Sequence, residues 1–156
     1  MNKFIPLALA LFIGGCSDPT TRLRLLDETT FDSEALRSVE KETLINLPNE
    51  SCGLKMWHYT DFNPRLLAKI DIPPSSQDTL IKQIEQISDD ELAISDPFTG
   101  ELFSNPLWET LDWWKISPET IIFKKSYMDK RNYCPTTIFL CKENERVTLY
   151  IDRGSP

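Results

Sequence analysis

The chain has 156 residues, 40% hydrophobic and 26% charged, a globular composition that excludes long disorder, collagen and coiled-coil arrays. Seventeen basic against 24 acidic side chains give a net charge of −7. Such a surface repels phosphate, so nucleic acid is not an expected partner.

The first residues read MNKFIPLALALFIGGC, with Lys3 ahead of an apolar run from Phe4 to Ile13. The run is too short for a helix across a hydrocarbon core of roughly 30 Å, which takes about 20 residues. It suits the apolar region of a secretory signal. Small residues follow at once, and Ile13-Gly14-Gly15-Cys16 resembles the lipobox of bacterial lipoproteins. The resemblance implies a diacylglycerol on the Cys16 thiol, removal of residues 1–15 as a signal peptide, and acylation of the new amino group by a chain such as palmitate. Two or three acyl chains anchor stably where one is marginal. Loss of residues 1–15 takes Lys3 as its only charge, leaving 141 residues at −8. Ser17, where the family commonly places an aspartate for inner-membrane retention, favours the outer membrane. Residues 16–22 are expected to be the lipidated cysteine and a short polar tether, and residues 23–156 a single domain in the periplasm or outside the cell.

Within that domain, residues 32–45 (DSEALRSVEKETLI) combine a capping Asp32 or Ser33 with apolar positions at Ala35, Leu36 and Val39, which predicts a surface helix ending before Leu47-Pro48-Asn49. Residues 54–60 (LKMWHYT) suit a strand. After the turn residues Asp61 to Pro64, Leu66, Ala68, Ile70 and Ile72 alternate with Leu67, Lys69 and Asp71. That period of two completes a hairpin. Pro73-Pro74 stops the strand, and Ser75 with Asp78 reads as a capping box for a helix carrying Leu80, Ile81, Ile84 and Ile87.

Residues 88–104 are acidic and then turn-like. Asn105-Pro106 reads as the start of a short helix with Leu107, Leu111 and Trp114 on one face. Residues 120–127, 136–142 and 147–152 read as a three-strand meander, with KENER (142–146) as a hairpin loop. The expectation is an α+β domain, an antiparallel sheet of about five strands with two or three helices packed on one face. The order of a strand pair, a helix, a Trp pair and a terminal TLYID strand is similar to that of small, uncharacterised bacterial lipoproteins.

With Cys16 lipidated, Cys52, Cys134 and Cys141 remain, enough for one bridge and an odd thiol. Cys134 and Cys141 lie about 23 Å apart on an extended strand, beyond the roughly 7 Å between Cα atoms that a disulfide spans. That leaves Cys52, beside Gly53 at a loop-to-strand boundary, as the partner of one of them; Cys134, also in a loop, is preferred, with three reduced thiols as the alternative.

His58 is the only histidine. Ser51, Ser126 and Asp61 could in principle complete a hydrolytic frame around it, but no GxSxG or SxxK surrounds Ser51 or Ser126. Asp89, Asp90, Glu91, Asp96 and Glu101 lack the spacing of a calcium loop. No metal site and no cofactor are expected. Trp108, Trp113 and Trp114 with Phe98 and Phe103 form the densest aromatic cluster. Trp114 at helical spacing points to the core, whereas Trp108 and Trp113 are candidate contacts for a partner. The reading is a lipid-anchored, non-enzymatic binding or accessory protein, partner-binding or immunity-type, touching the membrane through its lipid and another envelope protein through its surface. The alternatives are a small envelope hydrolase using His58 or a carboxylate pair, and a purely structural lipoprotein.

Overall fold

A computed structural model describes residues 23–61, 64–87, 110–129, 131 and 133–154. Six strands form one antiparallel sheet: β1 (Leu23–Asp27), β2 (Cys52–Tyr59), β3 (Arg65–Ile72), β4 (Ile121–Asp129), β5 (Cys134–Glu143) and β6 (Arg146–Arg153). Their order is β1-β2-β3-β6-β5-β4. The expected hairpin and meander are both present, and pairing of β3 with β6 fuses them into a single sheet.

The strands form where apolar side chains recur every second residue. Leu66, Ala68, Ile70 and Ile72 of β3, Ile138 and Leu140 of β5, and Val147, Leu149 and Ile151 of β6 all enter one buried cluster. A two-residue turn at Asn144 and Glu145 joins β5 to β6. Asn144 takes a φ of 58°, the left-handed conformation that such tight hairpins demand and that asparagine tolerates.

Helix α1 (Ser33–Thr43) starts where Asp32 accepts hydrogen bonds from the Glu34 and Ala35 amides at 3.1 and 3.0 Å, satisfying two of the helix's orphan donors. It ends at Leu44, whose φ of 63° and amide bond to the Glu40 carbonyl form a left-handed cap. Helix α2 (Gln77–Glu85) follows a 3₁₀ turn at Pro74–Ser76. Ala35 and Val39 of α1, and Leu80 and Ile84 of α2, complete the larger cluster on one sheet face. There Gly53 of β2 faces the Phe31 ring so closely that a Cβ would sit 2.2 Å from Cγ.

Several expectations are corrected. Among the described residues a six-strand sheet dominates, with only two short α-helices; it is not an α+β arrangement of about five strands under two or three helices. The unanticipated strand is β1, whose side chains are exposed apart from a partly buried Leu26. Ladder bonds to β2 hold it, so no burial pattern marks it in sequence. Residues 110–117 are not helical. A helix would turn Trp113 and Trp114 about 100° apart, whereas both join the smaller cluster with Leu67, Phe139, Cys141 and Tyr150 on the opposite sheet face. The expected Ser75 capping box is absent too. Ser75 lies inside the 3₁₀ turn, and Ser76 occupies the α2 cap position without a side-chain cap bond.

Candidate functional site

The sheet register sorts the polar side chains between two faces. On the helix face, Arg24, His58, Leu66, Arg153, Thr136 and Tyr127 form one cross-strand row. The C-terminus of α1 lies over this row, and its last carbonyls need donors. Tyr127 Oη donates to the Thr43 carbonyl, Arg153 Nε to that of Glu42 at 3.0 Å and Arg131 Nη2 to that of Lys41 at 3.3 Å. Guanidinium charge also suits the negative end of the helix dipole.

Asp129 balances those cations. Its carboxylate, 1% exposed, accepts from the Arg131 amide and from Arg131 Nε and Nη2 at 3.0, 3.0 and 2.9 Å. Its Oδ2 also lies 3.6 Å from Arg153 Nη2, on a side chain 6% exposed. The Arg131 hydrogen bond, outweighing burial, holds the Asp129 carboxyl below its ordinary value. Burial pushes the Tyr127 hydroxyl well above its ordinary value, so it stays a donor. Glu42 extends the cluster outward, 3.9 Å from Arg153 Nη1 and 3.5 Å from His58 Nε2.

This arrangement fixes what His58 meets. Its Nε2 faces a carboxylate already shared with Arg153. Ser126 sits on the opposite sheet face, hydrogen-bonded to Thr137 at 3.0 Å, and Asp61 accepts from Tyr59 Oη at 3.4 Å. Ser51 precedes the far end of β2, about 23 Å away along the strand. The structure does not bring these residues together into a nucleophile, base and orienting acid. The carboxylates of Glu42 and Asp129 flank Arg153 rather than an open cleft.

The opposite face is aromatic, and among the described residues no helix lies over it. One row runs Leu25, Trp57, Leu67, Asp152, Thr137 and Ser126, and the next runs Asp27, Lys55, Lys69, Tyr150, Phe139 and Lys124. Trp114, 9% exposed, meets Tyr150 edge-on at 5.5 Å. Trp113 meets Trp114 edge-on at 5.6 Å and stays half-exposed. Such edge-to-face pairs contribute beyond the area they bury. Lys69 lies 5.2 Å above the Tyr150 ring and Lys124 lies 5.7 Å above that of Phe139, within cation–π reach. Arg65 clamps Asp152 through Nε–Oδ1 and Nη2–Oδ2 bonds of 3.1 and 2.8 Å. Burial raises the Asp152 carboxyl despite that charge.

An open groove of about 510 Å³ lies between the 46–50 loop and the start of α2, lined in part by Asn46, Asn49, Ser76, Thr79 and Gln83. The Gln83 amide, turned to satisfy both partners, spans it to Asn46. Among the described residues no three His, Cys, Asp or Glu side chains gather as metal ligands. No described helix is long and apolar enough to cross a membrane.

Of the sequence candidates, Trp113 lies on the aromatic face. Cys16, Trp108 and the 89–101 acidic stretch lie outside the described residues. No disulfide joins Cys52, Cys134 and Cys141. The register explains why: Cys52 shares a row with Asp71, Thr148 and Cys141, three strands or about 14 Å from Cys141, and Cys134 lies a further 23 Å or so down β5. Burial pushes the Cys141 thiol up, which makes it inert as a nucleophile. The Glu42–Arg153–Asp129 cluster escaped sequence reading because its members are dispersed along the chain. The one local signal was Asp129 two residues before Arg131, a turn in which the side chain accepts the later amide. The chain matches no protein-family model, no curated protein and no solved structure.

Proposed function

We propose that the chain is a lipid-anchored protein of the bacterial envelope, held by Cys16 in the outer membrane, and that it acts by binding a partner rather than by catalysis. The observation that carries this reading is the division of labour between the two faces. On the helix face, His58, Glu42, Arg153, Asp129 and Arg131 contact one another or cap α1. On the other, Trp113 rests half-exposed on Trp114 and Tyr150. A rigid aromatic on a packed base is the kind of anchor that dominates protein interfaces. The charge of −8 left after removal of residues 1–15 favours a basic partner and speeds encounter with it. An accessory or immunity-type role fits both features.

The test is co-purification from detergent-solubilised envelopes with wild-type and Trp113→Ala chains. A partner captured by the wild type and lost with Trp113→Ala, at unchanged thermal midpoint, supports the reading. Equal capture by both chains removes Trp113 from it.

A further inference from the structure

Strand β1 carries two exposed aliphatic side chains on the aromatic face. Leu25 is 63% and Leu23 38% exposed, and both point to the side away from the helices, paired with Trp57 and Tyr59 of β2. The two rings lie 6.1 Å apart and half-buried, with the inner side of Trp57 against the smaller cluster. Lys55 continues that face along β2. At the far end of β1, Asp27 is tied to Thr29 and Thr30 by hydrogen bonds of 2.7–3.0 Å, which ends the apolar patch there.

Aliphatic side chains beside Trp and Tyr, rings with an apolar body and a polar tip, match the zone between hydrocarbon and headgroups. A neighbouring lysine can bury its stem while its charge stays with the headgroups. The chain itself points to the same occupant. Cys16 precedes Leu23 by seven residues, a span of at most about 25 Å when fully extended. Lipid on Cys16 would keep β1 within that distance of the bilayer.

Resting on the reading of Cys16 as the lipidated residue, we infer that this corner of the sheet lies on the membrane surface. Leu23 and Leu25 enter the interface, and Trp57 and Tyr59 sit at headgroup level. Two leucines form a small patch for a domain of net negative charge. Tethering changes that, because the contact becomes intramolecular and its effective concentration high. The lipid supplies attachment and the β1–β2 corner supplies orientation, presenting Trp113 at a fixed angle to the bilayer.

The test uses the full acylated protein in vesicles of phosphatidylethanolamine and phosphatidylglycerol, with and without bromine near the headgroup end of the acyl chains. Tryptophan fluorescence is compared for wild type, Trp57→Phe and the Leu23→Ser/Leu25→Ser pair, each checked for folding by circular dichroism. Bromine is expected to quench the wild type, and that quenching to be lost in Trp57→Phe and in the double serine variant. An acylated, vesicle-bound wild type that bromine leaves equally bright overturns the inference and leaves the anchor standing. So does quenching that survives both variants, because another surface then touches lipid. A chain without acyl mass that fails to float with vesicles overturns the anchor itself, and this inference with it.

Discussion

Replacing Asp129 by leucine is the most informative perturbation of the helix-face cluster. Its carboxylate is 1% exposed and is the acid between Arg131 and Arg153. Removing it leaves Arg153, itself 6% exposed, with Glu42 as its remaining acidic neighbour at 3.9 Å. Breaking a buried pair from one side costs about 3–5 kcal/mol, chiefly because the other charge stays desolvated. That is a large share of the roughly 5–15 kcal/mol that holds a domain together. With a urea slope of about 1–2 kcal/mol per molar, a loss of about 3 kcal/mol lowers the midpoint by about 1.5–3 M. Adding Arg153→Met removes the stranded charge, so the double variant should lose at least about 1 kcal/mol less than the sum of the two single losses, despite losing the Glu42 cap.

The same group has a pH signature. Its folded pKa lies below the ordinary 3.8, held there first by the Arg131 hydrogen bond. Its contribution is therefore complete above about pH 4 and is lost as pH falls through the folded value. Wild type should lose its advantage over Asp129→Leu only in that acid range. Buried Asp152, whose carboxyl is raised, works in the opposite sense. A leucine variant costing under about 1 kcal/mol, or strict additivity with Arg153→Met, would show that Asp129 does not neutralise a buried Arg153.

Three further outcomes follow from packing. Gly53→Ala drives a methyl to within 2.2 Å of the Phe31 ring, and overpacking of this kind costs about 1–3 kcal/mol by urea unfolding. Phe31→Leu in the same chain should recover part of that loss, and an unaffected midpoint for Gly53→Ala alone would contradict the close approach. Trp114→Ala empties the site against Tyr150 and should cost about 3–5 kcal/mol. Trp113→Ala should cost clearly less, and equal costs in thermal melts would put both rings in the core. The Tyr150 hydroxyl is buried with no hydrogen-bond partner among the described residues, so Tyr150→Phe should be neutral or stabilising by about 1 kcal/mol. A destabilised phenylalanine variant would show that the hydroxyl is satisfied.

What could be read from the sequence follows the range of the forces involved. Helix α1, its Asp32 cap, α2, the β2–β3 hairpin and the β4–β6 meander rest on local periodicity and turn chemistry, and all are present. The β3–β6 pairing that makes one sheet joins residues far apart in sequence, beyond any local pattern. β1 was hidden because an edge strand with exposed side chains carries no burial signal. The start of the expected helix at Asn105 lies outside the described residues; its end at Leu111 and Trp114 is not helical, because apolar spacing does not require a helix when tertiary contacts hold both tryptophans. Trp113 stood out as an unusual aromatic, whereas the Glu42–Arg153–Asp129 chain depends on Arg153 reaching the Glu42 carbonyl 111 positions away. The choice of Cys52 and Cys134 as partners rested on loop positions. Register decides otherwise, because strand order places them at different rows and strands.

The placement in the envelope is tested most directly by the mass of the N-terminal peptide from protein isolated from native membranes. The expected peptide begins at Cys16 and carries a diacylglyceryl thioether, with a further acyl group on its amine. A peptide that still begins at Met1, with an unmodified Cys16 thiol, would contradict it.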